Sequence, residues 1–491
     1  MQKFPWQAFA QNSAYAEQVA LRNSQGDPFT WVELAEKINQ VEAFLLQQGV
    51  TAQSAVAFCG KNSEQILFLY LAVIQLGAKI LGINPAFPQE KREELCHVYG
   101  VDFCYQTEDI HYLSAESLPE HKADFRKAAT MTLTSGSSGL PKAVVHNVSA
   151  HLANAEGVCA LMNFGKEQSW LLSLPLYHVS GQGIVWRWLY AGATLVLPKE
   201  DFYQSIGEVS HVSLVPTQLQ RWFDYLAKHP QPIQTQAVLL GGTQIPVKLT
   251  QALNELGIRS YSGYGMTEMA STVFAKQSDG KIGVGQPLLG RDFKLVNEEV
   301  WLKGAGLAMG YWRNGCVDPL TNAEGWFQTK DKGQWLDNEL VIQGRLDNMF
   351  ISGGENIQPE EIEKVIAQSD LVKQVFVLPK HDEEFGQRPV ALVEFHSPFN
   401  ESAVESLNVF LQGRLERFKQ PIAYYELPAN LIQGAIKISR KALADWLSRH
   451  YLFFHHHPVI FVPRLIHFLV FFPSANQHYY SLPKQAEKAT L

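Results

Sequence analysis

The sequence predicts an α/β protein with a large N-terminal region of several subdomains and a small α+β C-terminal domain. The chain has 491 residues, which is too long for one core because single hydrophobic cores stop growing at about 250 to 300 residues. From about residue 30 to residue 300, short apolar runs alternate with longer amphipathic ones, as strands and covering helices do. With 46% hydrophobic and 18% charged residues, the composition is typical of a folded globular protein.

Charge and cysteine content exclude several classes of protein. The net charge of −7 provides no general attraction to nucleic acids or anionic lipids, so we expect no nucleic-acid partner. The five cysteines are scattered, without a CxxC pair or zinc-like spacing, which favours a reducing, cytoplasmic location. The start of the chain lacks an apolar signal region, and the most apolar internal stretch, 66–74, is too short to span a membrane. The sequence leaves homo-oligomerisation open.

Three predicted strands end in polar or glycine-rich turns. Residues 170–177 precede His178, residues 237–240 precede Gly241 and Gly242, and residues 258–261 precede another glycine-rich turn. Ligands of open α/β sheets collect at the carboxyl ends of strands, so these turns are candidate walls of one site. A tight turn is the simpler explanation of each one taken alone.

The strongest chemical signal is a Ser/Gly-rich segment that follows the apolar run 131–133. Glycines let backbone N–H groups converge, hydroxyls add donors and a lysine adds positive charge, which together suit a phosphate. The segment is not a Walker A loop, because alanine follows its lysine. A Ser/Gly linker is the alternative, but it would not be expected between a strand and the helix-like run 150–161. The candidate residues are Thr134, Ser135, Gly136, Ser137, Ser138, Gly139 and Lys142.

The C-terminal part divides into a domain and a tail. A stretch rich in Gly, Asp and Asn, 324–348, precedes a predicted helix at 359–368 and predicted strands at 372–378 and 390–395. We therefore predict domains at 1–346 and 347–450. Residues 451–491 hold nine Phe and Tyr residues and four charged ones, and the final helix is expected to close at 446–449. We expect this tail to be a disordered, dispensable appendage, with a peripheral membrane contact as the alternative.

In order along residues 1–450, seven motifs resemble those of the adenylate-forming superfamily, which includes acyl-CoA synthetases, luciferases and peptide-synthetase adenylation domains. The first is the Ser/Gly-rich segment, and five others are 174–178, 241–243, 264–268, 352–357 and 437–440. The seventh consists of two ranges, 325–331 and 344–347. The resemblance implies an adenylate-forming N-terminal domain, a mobile C-terminal domain, ATP and CoA as substrates, and Mg²⁺. Lys330 departs from the pattern, because glycine often precedes the ribose aspartate there; Ser138 and Ile436 depart too.

The resemblance also implies roles for individual residues. Lys437, Thr267, Glu268 and His178 would be catalytic, and Glu268 would hold Mg²⁺, although a surface glutamate is the alternative. Asp331 and Arg345 would bind the ribose, or form only a surface salt bridge. Asp347 would be the hinge. The remaining ATP contacts would be Gly241, Gly242, Thr243, Tyr264 and Gly265, and the CoA contacts would be Gly353 and Gly354.

The acyl pocket is expected around His178, Arg187 and Thr272. A closer resemblance, in 131–142, 173–192, 213–219 and 344–361, implies ligation of 2-succinylbenzoate to CoA through an acyl-adenylate in menaquinone biosynthesis. That acid has a second carboxylate, and Arg187, flanked by tryptophans in an apolar run, needs an anion or an internal acid. An intramolecular salt bridge is the equal alternative for Arg187, and a structural role is the alternative for His178.

Other functions remain to be separated from this one. The first alternative is an aryl- or acyl-CoA ligase of different specificity, since pocket residues set the substrate more than the fold does. A carrier-loading adenylation domain would need a carrier module, for which the residues after 450 are too few. A catalytically silent nucleotide-binding protein is disfavoured by the joint presence of Glu268, Asp331, Arg345 and Lys437.

Overall fold

The structure is a computed structural model that describes residues 3–115, 118, 123–134, 140–243, 245–352, 355–382, 385–432, 438–453 and 459–461. Its helices are α1 (Pro5–Ala10), α2 (Trp31–Gln47), α3 (Glu64–Leu76), α4 (Gln89–Val98), α5 (Val148–Met162), α6 (Val179–Ala191), α7 (Phe202–Gly207), α8 (Pro216–Lys228), α9 (Val247–Glu255), α10 (Pro359–Ile366), α11 (Glu401–Leu411), α12 (Ala429–Ile432) and α13 (Arg440–Phe453). Short 3₁₀ turns occupy Thr107–Asp109, Thr267–Met269 and Leu346–Asn348.

The strands belong to several sheets. In chain order they are β1 (Val19–Arg22), β2 (Pro28–Thr30), β3 (Ala55–Cys59), β4 (Lys79–Ile83), β5 (Phe103–Tyr105), β6 (Ala128–Thr134), β7 (Lys142–Asn147), β8 (Ser169–Leu171), β9 (Thr194–Val196), β10 (His211–Leu214), β11 (Ala237–Leu240), β12 (Arg259–Met266), β13 (Ser271–Gln277), β14 (Gln286–Pro287), β15 (Arg291–Val296), β16 (Glu299–Gly304), β17 (Gly310–Arg313), β18 (Cys316–Asp318), β19 (Phe327–Leu336), β20 (Glu339–Arg345), β21 (Phe350–Ser352), β22 (Glu355–Ile357), β23 (Val372–Asp382), β24 (Gly386–Phe395), β25 (Ala423–Glu426) and β26 (Val459–Phe461).

Two large sheets and a small one build the N-terminal region, which confirms the predicted fold class. The nine-stranded sheet runs β14-β13-β12-β11-β10-β8-β9-β1-β2 and is parallel from β12 to β1. The seven-stranded sheet runs β18-β17-β7-β6-β4-β3-β5. A four-stranded antiparallel sheet, β15-β16-β19-β20, follows them.

Helix boundaries follow from short-range chemistry. The side chains of Thr30, Ser63 and Asn147 each accept a backbone N–H three residues later and so cap α2, α3 and α5. Gly77 and Gly192 end α3 and α6 in the left-handed conformation, which glycine adopts without steric cost.

The most apolar internal stretch lies in α3. Every residue from Ile66 to Leu76 is buried, and a helix that is apolar on all sides is one covered on every face. Its one polar member, Gln75, accepts a hydrogen bond from Trp6 Nε1 at 2.6 Å and donates to Asn39 Oδ1 at 2.8 Å. Across the part of the chain that the structure describes, no helix is long and apolar enough to cross a membrane.

The C-terminal region has its own sheet and cores. The sheet runs β23-β24-β25-β26. In the sequence, α10 precedes β23, α11 lies between β24 and β25, and α13 lies between β25 and β26. Two apolar clusters contain only residues from Phe350 onward, whereas the preceding cluster extends to Ile342. One core therefore ends before Asp347 and the others begin after it, and Asp347 is where the domain boundary is predicted.

The end of the chain differs from its prediction at two points. Helix α13 continues to Phe453, and Val459–Phe461 pairs antiparallel with β25, so regular structure extends past residue 450. The apolar Val459-Ile460-Phe461 run favours a strand, and the edge of β25 supplies backbone partners for it. The rest of the predicted tail, 454–458 and 462–491, lies outside the described residues.

Two further local predictions need correction. The run 170–177 is not one strand: β8 ends at Leu171, ahead of Pro175, which has no N–H to donate to a sheet. The Ser/Gly-rich segment does not lead from a strand directly to a helix. It joins the antiparallel neighbours β6 and β7, in which Thr134 pairs with Lys142, and α5 follows β7.

Candidate active site

The strand ends singled out in the sequence lie beside one another. A Cβ atom at Gly241, after β11, would lie 3.5 Å from the carbonyl oxygen of Gly263 on β12. Gly242 takes a φ of 86°, in the left-handed region, so the chain turns sharply there and leads to Thr243. The backbone N–H of Gly241 donates to Leu214 O, the last residue of β10, at 3.4 Å. The turn Gly241–Thr243, which is predicted to contact ATP, is therefore at the carboxyl edge of the nine-stranded sheet.

The ribose motif forms a compact polar group. Asp331 on β19 pairs with Arg345 on β20 in the strand register. Arg345 Nη1 donates to Asp331 Oδ1 at 3.0 Å, and the hydroxyl of Tyr264 donates to Asp331 Oδ2 at 2.5 Å. Burial, and then the neighbouring carboxylate of Asp331, hold the pKa of Tyr264 well above its ordinary value. Tyr264 is thus kept protonated as a donor to a largely buried aspartate.

Arg345 also holds the predicted hinge residue. Its Nε and Nη2 donate to the two oxygens of Asp347 at 3.0 and 3.1 Å, a two-pronged ion pair. Burial alone would lower the pKa of Arg345, but the carboxylates of Asp347 and Asp331 outweigh it and raise the pKa. Gln358 Nε2 donates to the carbonyl oxygen of Arg345 at 2.9 Å and ties this strand to the segment before α10.

Lys330 adopts an uncommon backbone conformation beside the ribose group. Its φ is 62°, a left-handed value that suits the glycine often found at this place in the superfamily. The backbone N–H of Lys330 donates to Glu299 Oε1 at 2.8 Å, which compensates part of the strain. Lys330 therefore adopts at this turn a conformation that glycine would adopt without strain.

Glu268 lies in the 3₁₀ turn that follows β12, with Thr267 beside it. Its Oε1 accepts a hydrogen bond from the hydroxyl of Tyr311 at 3.0 Å. Lys142 Nζ lies 4.8 Å from the centre of the Tyr311 ring, in a cation–π contact. Burial first, and then Glu268, raise the pKa of Tyr311. Tyr311 thus connects the lysine of the phosphate segment to the acidic residue.

Sequence reasoning missed Tyr311, because an aromatic residue in a strand normally indicates packing. It also missed Asn62, whose Nδ2 donates to Leu172 O at 3.0 Å and to Leu174 O at 2.9 Å, and whose Oδ1 accepts from Leu176 N at 2.9 Å. These three bonds fix the irregular segment before His178. No charge or glycine pattern in the sequence signals either residue.

This donor set fits a magnesium ion that is shared with substrate phosphates. Mg²⁺ is bound in such sites through one or two carboxylates while it keeps several waters. Glu268 supplies a carboxylate and Thr267 a hydroxyl beside it. Among the described residues no group of three or more His, Cys, Asp or Glu side chains could hold a metal by itself.

Arg187 on α6 is buried, with 1% of its surface exposed. Its Nη2 donates to the hydroxyls of Ser271 at 3.3 Å and Thr272 at 3.1 Å, and its Nη1 to that of Ser213 at 3.4 Å. The guanidinium lies over the Trp170 ring, 5.2 Å from its centre. Burial lowers its pKa to about 10, a value at which it is still charged at neutral pH.

The predicted alternative of a salt bridge does not hold for Arg187. None of the ion pairs formed by the described residues includes it, and its three hydrogen-bond partners are neutral hydroxyls. The Nε atom is buried without a hydrogen-bond partner among the same residues. A fully buried cation surrounded by hydroxyls is suited to receive an anion. We call Arg187, Ser213, Ser271 and Thr272 the hydroxyl cage.

His178 stands at the start of α6, nine residues before Arg187. Its ring is 4.7 Å from that of Tyr177, and its side chain is half-buried. A Cβ atom at Gly82 of β4 would come within 2.5 Å of Tyr177 Cα, so this segment lies directly against the seven-stranded sheet. His178 therefore follows a segment that packs on the seven-stranded sheet, and its role in the acyl pocket stays a prediction.

Several predicted residues lie outside the described part of the chain: Lys437, Gly353, Gly354, and Ser135 to Gly139. Their flanks are described. Three residues after Lys437, Arg440 donates to Glu363 Oε2 at 2.5 Å and to Val377 O at 2.9 Å. Strands β21 and β22 pair on either side of the two glycines.

Comparisons with known proteins agree with this geometry. The model of the AMP-binding enzyme family matches residues 8–124 and 113–312. The 2-succinylbenzoate–CoA ligase of Haemophilus influenzae is 66% identical over 447 residues, which cover 91% of this chain and 99% of that protein. The ligase of the same name from Escherichia coli is 46% identical, over 91% of this chain and 98% of its own length.

A solved structure of an E. coli MenE variant with bound OSB-AMS superposes with a TM-score of 0.83 at 43% identity, and the match covers 92% of this chain and 99% of that one. Wild-type E. coli MenE with a phenylether-linked analogue of OSB-AMS gives a TM-score of 0.77 at the same identity, over 91% and 100%. The extent of the family match and the identity to these relatives lead to one conclusion: the chain belongs to the AMP-binding enzyme family.

Proposed function

We propose that this protein ligates 2-succinylbenzoate to CoA in two steps, as a ligase of menaquinone biosynthesis. In the first step a carboxylate oxygen of the acid attacks the α-phosphorus of ATP, and pyrophosphate leaves. In the second step the thiol of CoA attacks the acyl carbonyl carbon, and AMP leaves. The products are 2-succinylbenzoyl-CoA, AMP and pyrophosphate.

The observation that carries the proposal is the hydroxyl cage around Arg187. A buried guanidinium without an ion-pair partner among the described residues is costly unless an anion joins it. A dicarboxylic acid offers one carboxylate for adenylation and a second for this cation. The relatives that are 66% and 46% identical carry the name of a ligase for such an acid.

The polar group of Tyr264, Asp331 and Arg345 supports ATP as the nucleotide. Asp331 has acceptor lone pairs on both oxygens, and a pair of ribose hydroxyls is a fitting partner for them. Thr267 would bond a phosphate oxygen, and Lys142 would add positive charge there. Mg²⁺, held by Glu268, would neutralise charge on the phosphates.

Lys437 would act on the charge that develops at the α-phosphate during adenylation. The C-terminal domain, 347–450, would then turn about Asp347 and bring the loop with Gly353 and Gly354 to the site for CoA. One pocket has to exclude water during adenylation and admit a thiol afterwards, and a hinge meets both demands. The ion pair between Arg345 and Asp347 would then lie at the point of rotation.

A cytoplasmic location is part of the proposal. All five cysteines are free, as is usual in a reducing compartment. The three substrates are small molecules, and the proposal needs no macromolecular partner.

The test is a CoA-thioester assay with 2-succinylbenzoate beside benzoate, an aliphatic acid and a dicarboxylate of similar length. We expect 2-succinylbenzoate to give the highest kcat/KM. Preference for a monocarboxylate would favour an aryl- or acyl-CoA ligase of other specificity. Absence of ATP–pyrophosphate exchange with every acid would contradict an adenylate-forming function altogether.

A further inference from the structure

A second buried arginine lies behind the hydroxyl cage. Arg291, at the start of β15, has 5% of its surface exposed. Its Nη2 donates to Thr272 O at 3.1 Å and to Asn154 O at 2.9 Å, and its Nη1 donates to Leu289 O at 2.6 Å. Its hydrogen-bond partners among the described residues are backbone carbonyls and not carboxylates.

Asn154 on α5 completes this arrangement. It is 1% exposed, and its Nδ2 donates both to Thr272 O at 2.9 Å and to Met269 O at 2.8 Å. The carbonyl of Thr272 therefore accepts from two buried side chains at once. We call Asn154 and Arg291 the Thr272 clamp.

The clamped segment needs support, because its backbone is strained. Ala270 has a φ of 55° and Ser271 a φ of 125°, both in the region that side-chain-bearing residues avoid. A Cβ atom at Gly265 would lie 2.1 Å from Ser271 O, so the neighbouring strand leaves this segment no room to shift. The bonds to Met269 and Thr272 hold the strained pair from both sides.

Ser271 and Thr272 carry two of the hydroxyls that accept from Arg187 Nη2. The position of those hydroxyls depends on the backbone that the clamp holds. We propose that Arg291 is a positioning residue for substrate specificity, which fixes Thr272 so that the hydroxyl cage presents Arg187 to the second carboxylate of the acid. This inference rests on the proposed function.

Arg291 acts through Thr272 and not by contact with substrate, and this distinguishes it from a residue of the pocket wall. The relevant comparison is therefore between KM for the acid and KM for ATP. We expect Arg291→Met to raise KM for 2-succinylbenzoate about tenfold, because small displacements of positioning groups have effects of this size or larger. KM for ATP should stay within about twofold. Arg291→Lys, which keeps the charge and one donor, should recover part of the loss.

A double-variant cycle gives the sharper test. Thr272→Val removes the cage hydroxyl, so adding Arg291→Met to it should raise KM for the acid little further. Additive effects in the double variant, equal increases in both KM values, or an unchanged KM for the acid would each overturn the proposal. Arg221→Met, on the exposed face of α8, is the matched control for loss of an arginine.

If Arg291→Met fails to fold, Gly157→Ala provides the same test, because it displaces the Arg291 guanidinium and does not remove it. A Cβ atom at Gly157 would lie 2.2 Å from Arg291 Nη1, so this substitution displaces the guanidinium while it favours the helix α5. It should raise KM for the acid and leave KM for ATP unchanged. Should the wild-type chain ligate a different acid, the proposed function is wrong, and the same KM comparisons with that acid decide the role of Arg291.

Discussion

Arg345 and Arg187 are two guanidinium groups of one site in opposite surroundings. Arg345 has a side chain 43% exposed and forms ion pairs with Asp331 and Asp347. Arg187 is buried and bonded to three hydroxyls. The pKa of Arg345 is raised by its carboxylates, whereas that of Arg187 is lowered to about 10 by burial.

The difference shows what each cation is free to do. Arg345 already has its counter-charges, so we expect it to orient Asp331, the predicted ribose ligand, and Asp347, the predicted hinge residue. Arg187 is charged without a neutralising partner in the described structure, so an anionic ligand would gain from it a strong, desolvated interaction. We therefore expect the paired arginine to organise the protein and the unpaired one to select the substrate.

The largest expected effect concerns a third cation, Lys437. We expect Arg187 to bind the acid and Lys437 to act on the α-phosphate. Lys437→Ala should therefore slow adenylate formation on the order of 10²- to 10³-fold, the range for removal of one preorganised charge. The CoA step from preformed adenylate should be largely intact. Pyrophosphate exchange and single-turnover thioester formation measure the two steps. Lys441→Ala, on the exposed side of α13, is the control, and equal damage to both steps would contradict the assignment.

The next effect tests the selecting role directly. Arg187→Ala should raise KM for 2-succinylbenzoate by the equivalent of roughly 1.5 to 3 kcal/mol, the value of a charge-assisted hydrogen bond. An analogue without the second carboxylate should be affected little. Arg345→Ala should instead raise KM for ATP. If the two variants damage the same KM, the comparison between the two arginines fails.

A smaller effect is expected at the hinge. Asp347→Pro fixes φ and should slow thioester formation about tenfold more than pyrophosphate exchange. Asp347→Ala removes the same carboxylate without restricting the backbone, so it separates loss of the ion pair from loss of rotation. Equal rates of both steps in the proline variant would refute a hinge at this residue.

Stability should respond in opposite directions at the two arginines. Arg187→Met replaces a buried charge by an apolar side chain of similar length and should raise the free energy of unfolding by about 1 kcal/mol. Arg345→Met should lower it by less than about 1 kcal/mol, since its ion pairs are partly exposed. Urea denaturation without ligand measures both. Saturating 2-succinylbenzoate should raise the Tm of the wild-type protein and not that of Arg187→Met.

The smallest effect is expected at the chain end. Truncation after Phe461 keeps β26 and should leave kcat/KM within about threefold, well below the 1.4 kcal/mol of a tenfold change. Truncation after His450 also removes the strand paired with β25 and should lower the Tm more. If the protein truncated after Phe461 loses adenylation, residues 462–491 contribute to the site after all.

Much of the nucleotide side was predictable, because its chemistry is contained in short contiguous motifs. Asp331, Arg345 and Glu268 each stand in a pattern that the sequence displays, and the structure joins Asp331 to Arg345 across two paired strands. The acyl side was only partly predictable. Arg187 was visible as a charge in an apolar run, but its hydroxyl partners come from two distant strands, β10 and β13.

Residues that act through the backbone left no pattern in the sequence. Asn62, Asn154 and Arg291 bind carbonyl oxygens far along the chain, and such contacts depend on the fold and not on neighbouring residue types. The strand predicted at 170–177 was wrong because pairing ends at Leu171 and the backbone groups of the next residues bond to the distant Asn62. The ordered start of the tail was missed because an edge strand depends on a distant partner.

One stretch of nine residues, Tyr264 to Thr272, contains in succession Tyr264 of the predicted ribose group, the turn with the predicted magnesium ligand Glu268, and two residues of the hydroxyl cage. Its two ends are fixed by the pairing of Gly265 with Thr272 across β12 and β13, and its interior is fixed by Asn154. A residue inserted into this stretch, or deleted from it, would shift the hydroxyl cage relative to the predicted nucleotide site. Evolution of a new acid specificity on this scaffold would therefore have to proceed by exchange of side chains at constant loop length, and libraries that vary loop length here should yield inactive enzymes.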